Sequence, residues 1–116
     1  MNKKKLGNLG ELFAKHYLIL KGYKIIETNY LINRYGEIDI IATKNKAIYF
    51  VEVKTRTKYK NKSYGTAVDA VDYNKINRMK YAINYFLINN GYLYKKYKKK
   101  LIVITIEIGY IHLLHD

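Results

Sequence analysis

Three carboxylates and one lysine sit inside two β-rich runs of this chain, spaced so that they can act together. Glu37 and Asp39 lie in Gly36-Glu37-Ile38-Asp39-Ile40-Ile41-Ala42-Thr43. Glu52 and Lys54 lie in Ala47-Ile48-Tyr49-Phe50-Val51-Glu52-Val53-Lys54-Thr55-Arg56. Both runs are rich in Ile, Val and aromatic residues, whereas strands normally avoid Asp. Lys44-Asn45-Lys46 separates them, so the stretch reads as a hairpin with a two-residue loop at Asn45-Lys46. Side chains on a strand alternate faces. Glu37, Asp39 and Ile41 therefore share one face and Ile38, Ile40 and Ala42 the other. Ile48, Phe50, Glu52 and Lys54 share one face, opposite Tyr49, Val51 and Val53. That loop pairs Lys44 with Ala47, Asp39 with Glu52 and Glu37 with Lys54. Opposed Cβ atoms are about 5 Å apart. Two carboxylates at that separation repel by about 3 kcal/mol at an effective dielectric of about 20.

The repulsion is relieved if one carboxyl holds a proton or if a cation sits between them. Glu37, Asp39 and Glu52 sum to −3, Lys54 returns +1, and the remaining −2 matches one divalent ion. Oxygen-only ligands suit Mg²⁺ or Mn²⁺ rather than zinc. The competing reading is a solvated strand face carrying a Glu37–Lys54 pair and no ion.

An Asp on one strand followed by Glu-x-Lys on the next resembles the core of the restriction-endonuclease-like superfamily, the P-D-(D/E)-x-K nucleases. The words Gly36-Glu37-Ile38-Asp39 and Phe50-Val51-Glu52-Val53-Lys54-Thr55-Arg56 are similar to those of the YraN family of small bacterial proteins. The likeness extends to Gly7, Gly10-Glu11, Ala14, Leu18, Gly22-Tyr23 and Asn29, and beyond the hairpin to Gly65, Ala70 and Lys75. Two departures stand out. Leu31 occupies a loop that is often richer in arginine, and Lys100-Leu101-Ile102 stands where the family usually carries Arg-Phe-Asp.

The resemblance implies phosphodiester hydrolysis, with Asp39 and Glu52 holding Mg²⁺ or Mn²⁺ and Lys54 orienting water or neutralising developing negative charge. It makes Glu11, on the first helix, a further metal group. Glu37 is an outer or second-metal group. Arg56 is placed to contact a phosphate. Lys58, Lys60 and Lys62, in a basic loop after the hairpin, together with Arg34 and Lys75, complete the expected nucleic-acid-binding set.

The elements that must position these groups follow from periodicity. Leu6, Leu9, Phe13, Tyr17 and Leu20 predict an amphipathic helix over Leu6 to Lys21 that buries this stripe, with His16 in the apolar arc as a core or boundary histidine. Gly22 is its C-cap. Tyr23 to Thr28 predicts a first strand, and Asn29 to Tyr35 a loop. Val68 to Asn89 predicts a long helix burying Val71, Ile76, Met79, Ala82, Ile83, Phe86 and Leu87, ended by Gly91. Tyr92 to Lys100 reads as an exposed connector. Leu101 to Ile108 reads as a strand that is central or covered on both faces, and Ile111 to Leu114 as a short last strand. The order α-β-β-β-α-β-β gives an α/β fold, a mixed five-stranded sheet flanked by helices. The strands joined through the long helix are expected to run parallel. With the resemblance, this is a restriction-endonuclease-like three-layer core.

A chain of 116 residues predicts a single domain over residues 1–116. The absence of cysteine excludes a disulfide framework and a thiolate metal site. No apolar run reaches the roughly 20 residues of a membrane span, and no apolar stretch follows the basic Met1 to Lys5, so a cytoplasmic protein is expected. The net charge of +13 points to a polyanionic partner, DNA first. Lys, Ile, Asn and Tyr make up more than half the chain, a bias that A·T-rich coding also produces. Two other function classes fit the same residues. One is a nucleic-acid-binding module with a vestigial nuclease site; the other is an accessory protein whose acids form a packed ion-pair network. A glycosidase using Asp39 and Glu52 would need an aromatic sugar cleft and leaves Lys54 without a task.

Overall fold

The computed structural model describes residues 3–58 and 73–109. Two helices and four strands follow one another as α1 (Lys3–Leu20), β1 (Lys24–Ile32), β2 (Gly36–Lys44), β3 (Ala47–Lys58), α2 (Tyr73–Asn90) and β4 (Lys98–Gly109). The strands form one sheet in the order β1-β2-β3-β4. The first two pairings are antiparallel, and β3–β4 is parallel, as a crossover through a helix requires. Among the described residues the sheet has four strands rather than the expected five. The segment expected to supply the fifth, Ile111 to Leu114, lies outside them.

The sheet is covered on both faces. On one, Met79, Ala82 and Phe86 of α2 bury against Ile32, Ile38, Ile41, Ile48 and Phe50, with Ile76, Ile83 and Leu87 packed around them. This is the stripe expected from periodicity, apart from Val71, which lies outside the described residues. On the other face, Ala14 and Leu18 of α1 bury against Ile40, Ala42 and Val51.

The buried face of α1 differs from the expected stripe. Gly10, Ala14 and Leu18 are buried, whereas Phe13 and Tyr17 are more than half exposed and Leu20 is 85% exposed. His16 is exposed, not in the core. The helix seats on the sheet through Gly10 and Ala14, whose small size allows its axis to approach closely, with Leu18 buried beyond them. The larger side chains next to that face border an open apolar groove of about 640 Å³ with Ile104 and Ile106 of β4. Gly22, at φ +91°, closes α1 as expected: the Tyr23 N–H donates to the Leu18 carbonyl at 2.9 Å.

Three strand expectations also change. Strand β1 runs on to Ile32, leaving only a short turn before Gly36. Strand β4 begins at Lys98, inside the expected connector, and lies at the sheet edge among the described residues. Its Ile102, Ile104 and Ile106 pack under α1, while Leu101, Thr105 and Glu107 are exposed, so it is not covered on both faces. Strict alternation also fails in β2. Ile38 joins Ile41 under α2, whereas Ile40 and Ala42 lie under α1. The change of face falls at Asp39.

Candidate metal centre

The hairpin turn sets the register of the site. Asn45 and Lys46 both adopt left-handed backbone, φ 50° and 60°, the geometry of a type I′ turn. The ladder then runs Lys44↔Ala47, Thr43↔Ile48, Ala42↔Tyr49, Ile41↔Phe50 and Ile40↔Val51, as the two-residue loop predicts. The ladder stops one step before Asp39 and Glu52. There the Asp39 carboxylate takes over from the backbone: its Oδ2 accepts the Val53 N–H at 2.7 Å. Both acids are buried, Asp39 at 4% and Glu52 at 2% exposure. Glu52 Oε1 has no hydrogen-bond partner among the described residues. Burial, and then the hydrogen bond and charge of Asp39, push the Glu52 carboxyl up to about 8, although Lys75 and Lys54 pull it down. Without a metal ion, burial and the neighbouring carboxylate thus favour the protonated form of Glu52.

Each helix brings one charged group to this strand end, and a glycine allows each approach. A side chain at Gly10 would collide with Thr55 of β3, so α1 lies close enough to the sheet to present the adjacent Glu11. Asn29, in left-handed conformation at φ 51° within β1, donates from Nδ2 to Glu11 Oε1 at 2.8 Å. Burial raises the Glu11 pKa, with Asn29 opposing, and the charges of Asp39 and Glu37 raise it further. An open pocket of about 240 Å³, lined in part by Glu11, Lys15, Asn29 and Ile40, gives solvent access on this side. On the other face, a Cβ at Gly36 would lie 2.9 Å from the Arg78 carbonyl oxygen and 3.0 Å from the Ala82 Cβ. That contact seats α2 on β2 and brings Lys75 to the acids. Its Nζ is 3.3 Å from Glu37 Oε1 and 3.7 Å from Glu52 Oε1. Burial alone would lower the Lys75 pKa, but the charges of Glu52, Asp39 and Glu37 raise it overall.

The residues singled out by sequence are distributed as follows. Asp39 and Glu52 are in hydrogen-bond contact, with Glu37 and Glu11 close enough to act on the same charges. Lys54 is half-buried and acts on Glu52 through its charge. Glu37 pairs with Lys75 rather than with Lys54. Lys75 therefore sits with the acid cluster. Arg56 lies one step further along the Glu52–Lys54 face of β3, and Arg34 is exposed in the β1–β2 turn. The side chain of Lys58, and Lys60 and Lys62, lie outside the described residues. Asn29 has a positioning role that the residue pattern alone does not assign; its signal is that Asn tolerates left-handed backbone better than most residues. Ile102, where the family usually carries Asp, is paired with Val51 and packed under α1. The neighbour of Glu52 on β4 is Val103, so that departure removes no group from the Asp39–Glu52 pair.

The donors fit a hard divalent cation. They are all oxygens, and one of them is buried without a hydrogen-bond partner among the described residues. Among the described residues no three acidic or imidazole side chains converge as a ligand set. Glu11 is tied to Asn29 and Glu37 to Lys75. Asp39 and Glu52 are the pair that can hold an ion as they stand.

Comparison with known proteins shows the family of the chain. The model of the Uncharacterised protein family UPF0102 matches residues 10–106. A UPF0102 protein of Alkaliphilus metalliredigens is 42% identical over 106 residues, 91% of this chain and 88% of that one. One from Dictyoglomus turgidum is 37% identical over 107 residues, 92% and 87% of the two chains. One from Alkaliphilus oremlandii is 47% identical over 90 residues, 78% and 73%. The matched span takes in Glu11, Glu37, Asp39, Glu52, Lys54 and Lys75, and the restriction-endonuclease-like assignment is consistent with it. The chain belongs to the UPF0102, or YraN-like, family.

Proposed function

We propose that the chain is a metal-dependent, endonuclease-like phosphodiesterase acting on DNA, with branched or structured DNA among its candidate substrates. The observation that carries this reading is the buried Asp39–Glu52 pair with an orphaned carboxylate oxygen, flanked by Lys54. An acid pair that served only as packing would be expected to have every buried oxygen satisfied. Asp39 and Glu52 would hold Mg²⁺ or Mn²⁺. When bound, the ion supplies Lewis-acid activation of the phosphate and of water.

The remaining roles belong to the chain itself. The Val53 N–H fixes Asp39 so that its second oxygen stays available. Asn29 fixes Glu11 in the same way at the edge of the site. Lys54, two residues from Glu52 on the same face, is preorganised to neutralise charge developing on a phosphoryl oxygen. Arg56 continues that face and is suited to a neighbouring phosphate. The charge of +13 favours a polyanionic substrate.

Cleavage assays on labelled duplex, flap, branched and single-stranded DNA and on RNA, with Mg²⁺, with Mn²⁺ and with chelator, test the reading. Metal-dependent cleavage that Lys54→Ala lowers by about 100-fold or more supports it. Salt-sensitive DNA binding without any metal-dependent cleavage would instead mark a binding module.

A further inference from the structure

Lys75 brings a positive charge to the acid cluster. It comes from α2, on the opposite side of the sheet from Glu11, and reaches both Glu37 and Glu52. Its closest contact, 3.3 Å to Glu37 Oε1, is a hydrogen bond. The 3.7 Å approach to Glu52 Oε1 is too long for one, and it is aimed at the oxygen that has no hydrogen-bond partner among the described residues. The side chain of Lys75 is only 23% exposed. The packing of Met79 and Ala82 one and two turns further along α2 holds the helix in place.

From this geometry we infer that Lys75 is the resident counter-ion of the site and competes with the divalent ion for Glu52. The inference rests on the metal-site reading above. A hard divalent ion binds a carboxylate oxygen at about 2.1 to 2.5 Å. An ion on Glu52 Oε1 would therefore stand at most about 6 Å from the Lys75 ammonium in its present position. At that distance the two positive charges repel strongly in a partly buried setting. If the ammonium stays, it repels the ion; if it withdraws, its pairing with Glu52 is lost. Either course weakens metal binding relative to a site without Lys75. In return, the ammonium pairs with Glu37 and stands against Glu52 Oε1 when no metal is bound, and it limits the site to ions that bind strongly enough to displace it.

The test is Mn²⁺ binding by the intact protein, followed by calorimetry and by the electron-spin-resonance signal of free Mn²⁺, at one pH and ionic strength. Lys75→Met should bind Mn²⁺ at least tenfold more tightly than the wild type, equivalent to about 1.4 kcal/mol. Lys75→Arg, which keeps the charge, should stay within about threefold of the wild type. In chelator, Lys75→Met should melt below the wild type, and Mn²⁺ should raise its melting temperature by more. If Lys75→Met is unfolded in chelator, Mn²⁺ should restore its circular dichroism; failure to do so overturns the inference. Wild type that binds Mn²⁺ with an affinity Lys75→Met leaves unchanged or lowers overturns the inference alone. If neither protein binds Mn²⁺ or Mg²⁺, the metal-site reading falls and takes the inference with it.

Discussion

Metal binding should be coupled to the release of one proton from Glu52. In the metal-free protein, burial and the neighbouring Asp39 push this carboxyl up to about 8. A divalent ion needs the ionised form, so below that pH the ion and the proton compete. The sign follows directly. The ionised fraction of Glu52 falls about tenfold for each pH unit below 8, so apparent affinity should rise about tenfold per unit as pH increases and level off above 8. Between pH 6 and the plateau the gain is about 100-fold. Titration calorimetry with Mg²⁺ in buffers of different ionisation enthalpy measures both the affinity and the proton count. At pH near 6.5 the account requires about one proton released per ion bound. An affinity that stays flat from pH 6 to 7.5, with no proton released, would show that Glu52 is either ionised beforehand or not a ligand.

Other consequences can be checked on the metal-free protein. The raised Glu52 pKa stabilises the fold fully below about 4.5, and this contribution is lost as pH rises through about 8. Relative to Glu52→Gln, chelated wild type should therefore lose up to about 1.4 kcal/mol of unfolding free energy per pH unit across that window, measured by urea denaturation. Lys46→Gly should stabilise the protein by about 0.5 to 1 kcal/mol, because Lys46 holds a left-handed backbone at φ 60° in the hairpin turn; no gain in melting temperature would contradict the turn assignment. Gly36→Ala should cost about 1 to 3 kcal/mol, since the new methyl meets backbone of α2 that cannot rotate away. A change under 0.5 kcal/mol would mean that α2 is not seated on β2 as described.

The hairpin was legible in sequence because its determinants are local. A two-residue turn sets the register from Lys44↔Ala47 to Ile40↔Val51, which carries Asp39 and Glu52 to adjacent places one step beyond the ladder. The stripe of α2 was legible for the same reason, since its buried residues are large and apolar. The face of α1 was not. A helix that approaches a sheet closely buries Gly10 and Ala14, which carry little hydrophobic signal, and leaves Phe13 and Tyr17 outside. The role of Lys75 was also hidden. Its partners lie 38 and 23 positions away in sequence, and only the seating of α2 at Gly36 joins them. The reversal of side-chain faces at Asp39 has no sequence signal of its own: it arises where the β2–β3 ladder ends and a carboxylate replaces a carbonyl as acceptor for Val53.

The central claim is that the buried acid pair exists to hold a divalent ion for phosphodiester cleavage. Glu52→Gln tests it most directly, because it keeps shape and the capacity to hydrogen-bond Asp39 while removing the ionisable oxygen. Wild type and Glu52→Gln, purified in parallel, should be compared for cleavage of the same labelled DNA panel in Mn²⁺, with folding checked by circular dichroism. The account predicts that the wild type cuts at least one substrate and that Glu52→Gln remains folded and cuts none. A folded Glu52→Gln that cleaves at the wild-type rate would contradict it.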